Sequence, residues 1–147
     1  MSTAIHKLVE ACRAGDPRVI ARMPAGWAVM GSPQVLRGYC LLLPDPVVPH
    51  LNALSAPARD RFMCNLGQLG DAVLRATQAI RVNYAIFGNL EPALHAHVHP
   101  RYVDEPESLR TANPWGYDWS TAPPYSNAVD DALRLRIAEE LRLVDRT

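Results

Sequence analysis

The chain has 147 residues, of which 48% are apolar and 20% are charged, and these values are typical of one globular domain with a sizeable core. Its 15 basic and 15 acidic residues give a formal net charge of zero. This balance argues against a general binder of nucleic acid polymers, because such proteins usually carry a basic excess. No apolar run approaches the roughly 18 residues that a membrane-spanning helix needs.

The cysteines and the N-terminus bear on the compartment. Cys12, Cys40 and Cys64 are odd in number and lack CxxC spacing, so they predict neither a disulfide framework nor a zinc site. The first residues lack the apolar core of a signal peptide. Together these features predict a protein of the reducing cytoplasm.

The first half of the chain predicts one helix and three short strands. Apolar residues recur at helical spacing between Thr3 and Gly15, which are typical residues at the two ends of a helix. Turn residues then separate short apolar runs of strand character. The predicted elements are a helix over 3–14, strands over 18–23, 27–30 and 39–43, and a rigid proline-rich loop over 44–49.

The second half predicts a long helix, two strands and a last helix. Ser55 suits the N-cap of the long helix, and apolar residues recur along one of its faces as far as Ile80. The predicted elements are a helix over 56–80, strands over 81–87 and 94–99, an ordered but irregular segment over 103–125, and a helix over 127–143. This order is typical of an α+β fold with an antiparallel sheet.

The histidines form the most informative pattern. His95, His97 and His99 alternate along a predicted strand, directly before Pro100 and Arg101. Side chains two residues apart share a strand face and lie roughly 6–7 Å apart along it. Core packing explains three such rings poorly, because each buried ring needs a polar partner. The spacing suits either a site that holds phosphate or a site that holds a metal ion.

The run RVNYAIFGNLEPALHAHVHPRY over 81–102 resembles the histidine-triad (HIT) nucleotide-binding superfamily, in its diadenosine-polyphosphate-hydrolase-like branch. GYCLLLP over 38–44 is similar to a strand of the same family. The resemblance covers roughly residues 18–102. It implies a single HIT-like domain over 1–147 with a five-stranded antiparallel sheet, a long helix, flanking N- and C-terminal helices and a C-terminal extension over 103–147. It also implies a homodimer.

Two registers for the histidines are open. Aligned on Pro100-Arg101, the chain has Ala93 at the first triad position, His95 at the nucleophilic second position and His97 at the third. Aligned on the three consecutive histidines, it has His97 as the nucleophile. We prefer the first register, because it also keeps the upstream asparagines and proline in place.

The resemblance implies a mechanism that needs no metal or other cofactor. A neutral imidazole attacks the α-phosphorus of a nucleoside phosphate or dinucleoside polyphosphate, and water then hydrolyses the phosphohistidine. His97 and His99 would stabilise the phosphoryl oxygens or the leaving group. The residues predicted to bind substrate are Asn89, Arg101, Tyr39 and Asn83.

These substrate-binding residues also have simpler interpretations. Asn89 suits a plain turn, Arg101 suits an ion pair at the strand end, and Asn83 and Tyr39 suit ordinary strand positions. The aromatic cluster over 114–119 either covers a site or forms a subunit interface. Two other functions stay open, a HIT-like protein that binds a nucleotide without turnover and a metal site built from the three histidines.

Overall fold

One five-stranded antiparallel sheet organises the chain in this computed structural model, which describes residues 2–144. The strands are β1 (Val19–Met23), β2 (Gly26–Met30), β3 (Cys40–Pro44), β4 (Arg81–Ile86) and β5 (Ala96–Arg101). They lie in the order β1-β2-β3-β5-β4, so β1 and β4 are the edge strands. The predicted α+β fold with an antiparallel sheet is confirmed.

Four helices accompany the sheet: α1 (Ala4–Arg13), α2 (Ala56–Ala76), α3 (Glu107–Arg110) and α4 (Asn127–Val144). Short 3-10 turns occupy Leu51–Ala53 and Pro114–Gly116. The segment predicted to be ordered but irregular contains α3 and the second of these turns. The last three residues of the predicted C-terminal extension, 145–147, and the first residue of the chain lie outside the described residues.

The long helix ends four residues earlier than predicted. Ser55 caps its start as expected, because the Ser55 hydroxyl accepts a hydrogen bond from the amide of Ala58. At the other end, the Thr77 hydroxyl donates to the carbonyl of Val73 and accepts from the amide of Ala79. These bonds turn the chain towards β4, so Ile80 is exposed and does not belong to the buried stripe.

The two faces of the sheet are covered differently. Alternate residues of β5, Ala96 and Val98, pack into the main core with α2 and α4. On the other face, a second apolar cluster joins α1 to Leu41 and Leu43 of β3 and to Trp119. The second face is the one that carries the candidate site.

The strand that carries the histidines begins later than predicted. Its pairing starts at Ala96, opposite Leu42 and Ile86, and runs to Arg101 rather than ending at residue 99. Just upstream, the amide of Leu94 bonds to the carbonyl of Val48 in the preceding loop. Because of this contact with the loop, His95 lies immediately before the strand, and only His97 and His99 belong to it.

Among residues 2–144, no helix is both long enough and apolar enough to cross a bilayer.

Candidate active site

The pairing of β5 with its neighbours decides where the histidine side chains lie. His97 is opposite Leu41 of β3 and Ala85 of β4, and His99 is opposite Asn83 of β4. Since side chains alternate along a strand, both rings project from the face opposite α2. Their centroids are 5.7 Å apart, close to the spacing expected for alternate residues.

His95 is held by the main chain. Its ring meets that of His97 edge to face, with centroids 5.0 Å apart, and its Nδ1 atom is 2.7 Å from the carbonyl oxygen of Ala93. A carbonyl oxygen only accepts hydrogen bonds, so Nδ1 carries a proton, and in the neutral ring the lone pair lies on Nε2. The main chain therefore fixes the orientation of the His95 ring.

His97 is held by a side chain. The hydroxyl oxygen of Tyr39 is 2.7 Å from Nδ1 of His97. Burial, followed by the neighbouring His95, lowers the pKa of His97 to about 4, so this ring is neutral at physiological pH. Burial raises the pKa of the Tyr39 hydroxyl, which stays protonated. The pair is therefore a hydrogen bond between two neutral groups.

His99 lies deepest of the three. It is 0% exposed, and within residues 2–144 neither of its ring nitrogens has a hydrogen-bond partner. Its ring stacks on Tyr39 with centroids 4.3 Å apart and planes 2° from parallel. Burial, then His97 and Arg101, lower the pKa of His99 to about 3. His99 is thus a neutral member of an aromatic cluster.

The aromatic segment over 112–119, hereafter the cap segment, covers His97 and His99. Trp115 makes edge contacts with His97 and His99, at centroid distances of 5.1 and 5.3 Å. Trp119 contacts His99 at 5.8 Å and stacks on Trp115 at 5.6 Å. Of the two interpretations left open for the aromatic cluster, the arrangement favours coverage of the site.

A buried ion pair anchors the cap segment beside β5. Nη2 of Arg101 is 2.9 Å from Oε1 of Glu105, and both side chains are buried. The other guanidinium contacts are Asn83 Oδ1 at 2.8 Å and the carbonyl oxygens of Ala112 and Leu109 at 2.7 and 2.9 Å. Every guanidinium nitrogen has a protein acceptor, which favours the ion-pair interpretation of Arg101 over phosphate binding.

The same network involves Asn83 and two residues that the sequence reasoning missed. The Asn83 amide oxygen is occupied by Arg101, and the Tyr117 hydroxyl donates to Glu105. Burial alone would raise the pKa of Glu105, but hydrogen bonds from Arg101 and Tyr117 lower it. An acid four residues after Arg101 was the available signal for Glu105. For Tyr117 the only signal was its place in the aromatic cluster.

Asn89 lies apart from this network. Its side chain is exposed after β4, beside a shallow cavity of about 320 Å³ that Phe87 and Trp115 also line. A second cavity, of about 430 Å³, lies between β4 and the cap segment, and His99 and Asn83 are among its lining residues. Of the four residues predicted to bind substrate, Asn89 is the most exposed.

Four of the six ring nitrogens of these histidines are occupied by protein groups or buried. Nδ1 of His95 faces a carbonyl oxygen, Nδ1 of His97 faces Tyr39, and both nitrogens of His99 are buried among rings. Among residues 2–144, no three His, Cys, Asp or Glu side chains are grouped to hold a metal ion.

Comparison with known proteins gives structural but not sequence relatives. No protein-family model and no curated protein matches the chain. A histidine triad (HIT) protein from Sinorhizobium meliloti matches with a TM-score of 0.72 and 19% identity, over 89% of this chain and 93% of that one. A histidine triad protein from Marinobacter aquaeolei matches with a TM-score of 0.76 and 16% identity, over 98% and 99% of the two chains.

The chain has the HIT fold. A hypothetical histidine triad nucleotide-binding protein from Sulfolobus tokodaii has the same fold, with a TM-score of 0.75 and 13% identity over 95% of this chain and 94% of that one. These matches extend the likeness to the HIT fold well beyond residue 102, where the sequence resemblance ends. In this chain α4 belongs to the main core, because Leu133, Ile137 and Leu141 pack there.

Proposed function

We propose that this HIT-fold protein is a nucleotide hydrolase that cleaves a nucleoside phosphate or dinucleoside polyphosphate at the α-phosphorus, with His95 as its nucleophile. The observation that carries the proposal is the hydrogen bond from Nδ1 of His95 to the carbonyl of Ala93. It fixes the tautomer that a nucleophilic imidazole requires. The motif over 81–102, similar to that of diadenosine-polyphosphate hydrolases, supports dinucleoside polyphosphates as the substrate class.

The reaction has two steps. Nε2 of His95 attacks the α-phosphorus, the new N–P bond forms, and the P–O bond to the leaving group breaks with its electron pair on oxygen. The proton on Nδ1 stays in place, and the Ala93 carbonyl stabilises the positive charge that develops on the ring. Water then attacks phosphorus, the N–P bond breaks, and a nucleoside monophosphate is released with a proton passed to solvent.

His97 is the second catalytic histidine of this proposal. Its pKa of about 4 makes it a neutral hydrogen-bond donor to a phosphoryl or leaving-group oxygen at physiological pH. Asn89, with an exposed amide, is the best placed of the predicted substrate-binding residues to contact phosphate. His99 supports the site through its packing on Tyr39 and Trp115.

A homodimer and a cytoplasmic location belong to the same proposal. Within residues 2–144 no strand pairs with the outer edge of β4, and exposed apolar side chains lie on or beside it: Ile80, Tyr84, Phe87 and Leu90. An apolar edge strand is a template for pairing with a second copy. The three free cysteines support a reducing compartment.

The test is product analysis by mass spectrometry. Purified protein is incubated with diadenosine tetraphosphate, ATP or adenosine phosphoramidate, with and without a chelator. The variants are His95→Ala and His97→Ala, and the matched control is His50→Ala, an exposed histidine outside the site. We expect AMP release that resists the chelator, falls at least about 10³-fold in His95→Ala and falls about 10²-fold in His97→Ala.

Other results of this product analysis would favour one of the alternative assignments. Full activity in His95→Ala with loss in His97→Ala would move the nucleophile to His97. Tight nucleotide binding without turnover would indicate a binding protein. Absence of both turnover and nucleotide binding, together with about one metal ion per chain, would favour the metal site.

A further inference from the structure

The packing around Tyr39 holds its side chain in place. It follows Gly38, whose positive φ of 95° suits glycine, and its side chain is only 3% exposed. A Cβ atom added at Gly31 would lie 2.3 Å from the Tyr39 ring, so the ring fills the space that a side chain at 31 would take. With His99 stacked on it, the ring has one position, and its hydroxyl reaches His97.

The Tyr39 hydroxyl is the donor in its hydrogen bond with Nδ1 of His97. Among residues 2–144, the Tyr39 hydroxyl makes one hydrogen bond, to Nδ1 of His97. If Nδ1 were the donor, the buried hydroxyl proton would have no acceptor, which is costly. If the hydroxyl is the donor, its proton and the Nδ1 lone pair are both satisfied. The single proton of the His97 ring then lies on Nε2.

We propose that Tyr39 is the positioning residue for His97: its hydroxyl donates to Nδ1, keeps the ring proton on Nε2, and so restricts the site to substrates whose leaving group departs as a stable anion. This inference rests on the proposed hydrolase function and deepens it. It assigns phosphoric anhydrides, such as dinucleoside polyphosphates, as the substrate class and disfavours phosphoramidates.

The two substrate classes differ in what they require of His97. When an anhydride is cleaved, the P–O bond breaks and the electron pair stays on a polyphosphate oxygen, so a neutral Nε2–H donor is sufficient. When a phosphoramidate is cleaved, the P–N bond breaks and the amine nitrogen must gain a proton. To supply that proton readily His97 must first become an imidazolium, with protons on both nitrogens. Donation by Tyr39 to Nδ1 opposes that form.

The first readout is the ring tautomer itself. Histidine ¹⁵N chemical shifts are measured by NMR in the wild-type protein and in Tyr39→Phe, with His97→Asn to assign the signals. We expect the wild type to carry the His97 proton on Nε2, with Nδ1 shifted as a hydrogen-bond acceptor, and Tyr39→Phe to lose that Nδ1 shift. A wild-type proton on Nδ1 would overturn the proposal, even if Tyr39→Phe failed to fold.

The second readout is the preference between leaving groups. The ratio of kcat/KM for diadenosine tetraphosphate to kcat/KM for adenosine phosphoramidate is expected to favour the anhydride in the wild type. This ratio should fall at least about tenfold in Tyr39→Phe, because Nδ1 of His97 is then free to accept a proton. Tyr125→Phe is the matched control, since the Tyr125 hydroxyl contacts Asp131, and it should leave the ratio unchanged.

The two readouts separate the two proposals. Absence of turnover with either substrate would contradict the hydrolase function, while the tautomer measurement would still decide the Tyr39–His97 bond. A wild-type preference for the phosphoramidate, or an unchanged ratio in Tyr39→Phe, would overturn the role of Tyr39 and leave the nucleophilic role of His95 intact.

Discussion

The three histidine rings differ in what holds each of them. A main-chain carbonyl orients His95 and a tyrosine hydroxyl orients His97, whereas aromatic rings pack on His99, whose nitrogens have no hydrogen-bond partner among residues 2–144. The carbonyl of residue 93 makes the contact with His95, so the alanine side chain at that position does not prevent orientation of the proposed nucleophile. A chain without the first triad histidine can therefore keep an oriented imidazole at the next position.

The buried histidines make stability depend on pH. The pKa values of His97 and His99 fall from 6.5 to about 4 and about 3 on folding. Below pH 6.5 the unfolded chain therefore binds more protons than the folded chain, and stability is lost as pH falls. Each histidine contributes a slope of at most about 1.4 kcal/mol per pH unit. Urea denaturation at pH 7.5, 6.5 and 5.5 should show the decrease.

The variant His99→Phe tests the contribution of His99 to the pH dependence of stability. Phenylalanine keeps an aromatic ring in the cluster and removes two unpartnered nitrogens, so the variant should be at least as stable as the wild type at pH 7.5. Its stability should fall less steeply towards pH 5.5, by roughly the slope of one titrating group. If the slope of stability against pH were unchanged, His99 would take up no proton when the protein unfolds.

Among the larger elements, the cap segment depends on one buried ion pair. Glu105 receives hydrogen bonds from Arg101, from the Tyr117 hydroxyl and from the amide of Tyr102. Glu105→Gln removes the charge but keeps the shape, and it leaves a buried guanidinium without its counter-ion. We expect a loss of about 2–4 kcal/mol in the free energy of unfolding, measured by urea denaturation.

An exposed ion pair provides the control for that measurement. Glu139 pairs with Arg142 on α4, and both side chains are largely exposed. Glu139→Gln should change the free energy of unfolding by less than about 0.5 kcal/mol. Near-ultraviolet circular dichroism should report looser tryptophan packing in Glu105→Gln only. Equal effects of the two substitutions would show that the buried pair does not anchor the cap segment.

For the molecule as a whole, the free edge of β4 predicts self-association. A charge placed at an exposed edge opposes strand pairing between copies. Ile80→Lys should therefore lower the dimer fraction at a given concentration, as measured by analytical ultracentrifugation. Leu135→Lys, which changes an exposed leucine of α4, should leave it unchanged. A wild-type protein that stays monomeric at high concentration would contradict the proposed dimer.

Local patterns were sufficient to predict most of the fold. Helical spacing, the Ser55 cap and short runs between turns predicted the five strands and the N-terminal, long and C-terminal helices to within a few residues. The errors had two sources. Local bonds of the Thr77 side chain to Val73 and Ala79 end α2 before Ile80, and apolar periodicity does not show them. The contact of Leu94 with Val48, which is distant in the sequence, delays β5.

The candidate site was predictable in part. Period two predicted His95, His97 and His99 on one strand face. This is confirmed for His97 and His99 and wrong for His95, which lies before the strand. The bond of Arg101 to Asn83 and the partner of Tyr39 were not predictable, because each depends on how segments far apart in the sequence meet. Asn89 as a phosphate contact stays a prediction.

The nucleophile can be identified most directly by trapping the covalent intermediate. Protein turning over diadenosine tetraphosphate is quenched in alkali, which preserves phosphohistidine, and the nucleotidylated peptide is mapped by mass spectrometry. We predict AMP attached to His95 in the wild type and no adduct in His95→Ala. An adduct on His97, or undiminished turnover in His95→Ala, would contradict the assignment of His95 as the nucleophile.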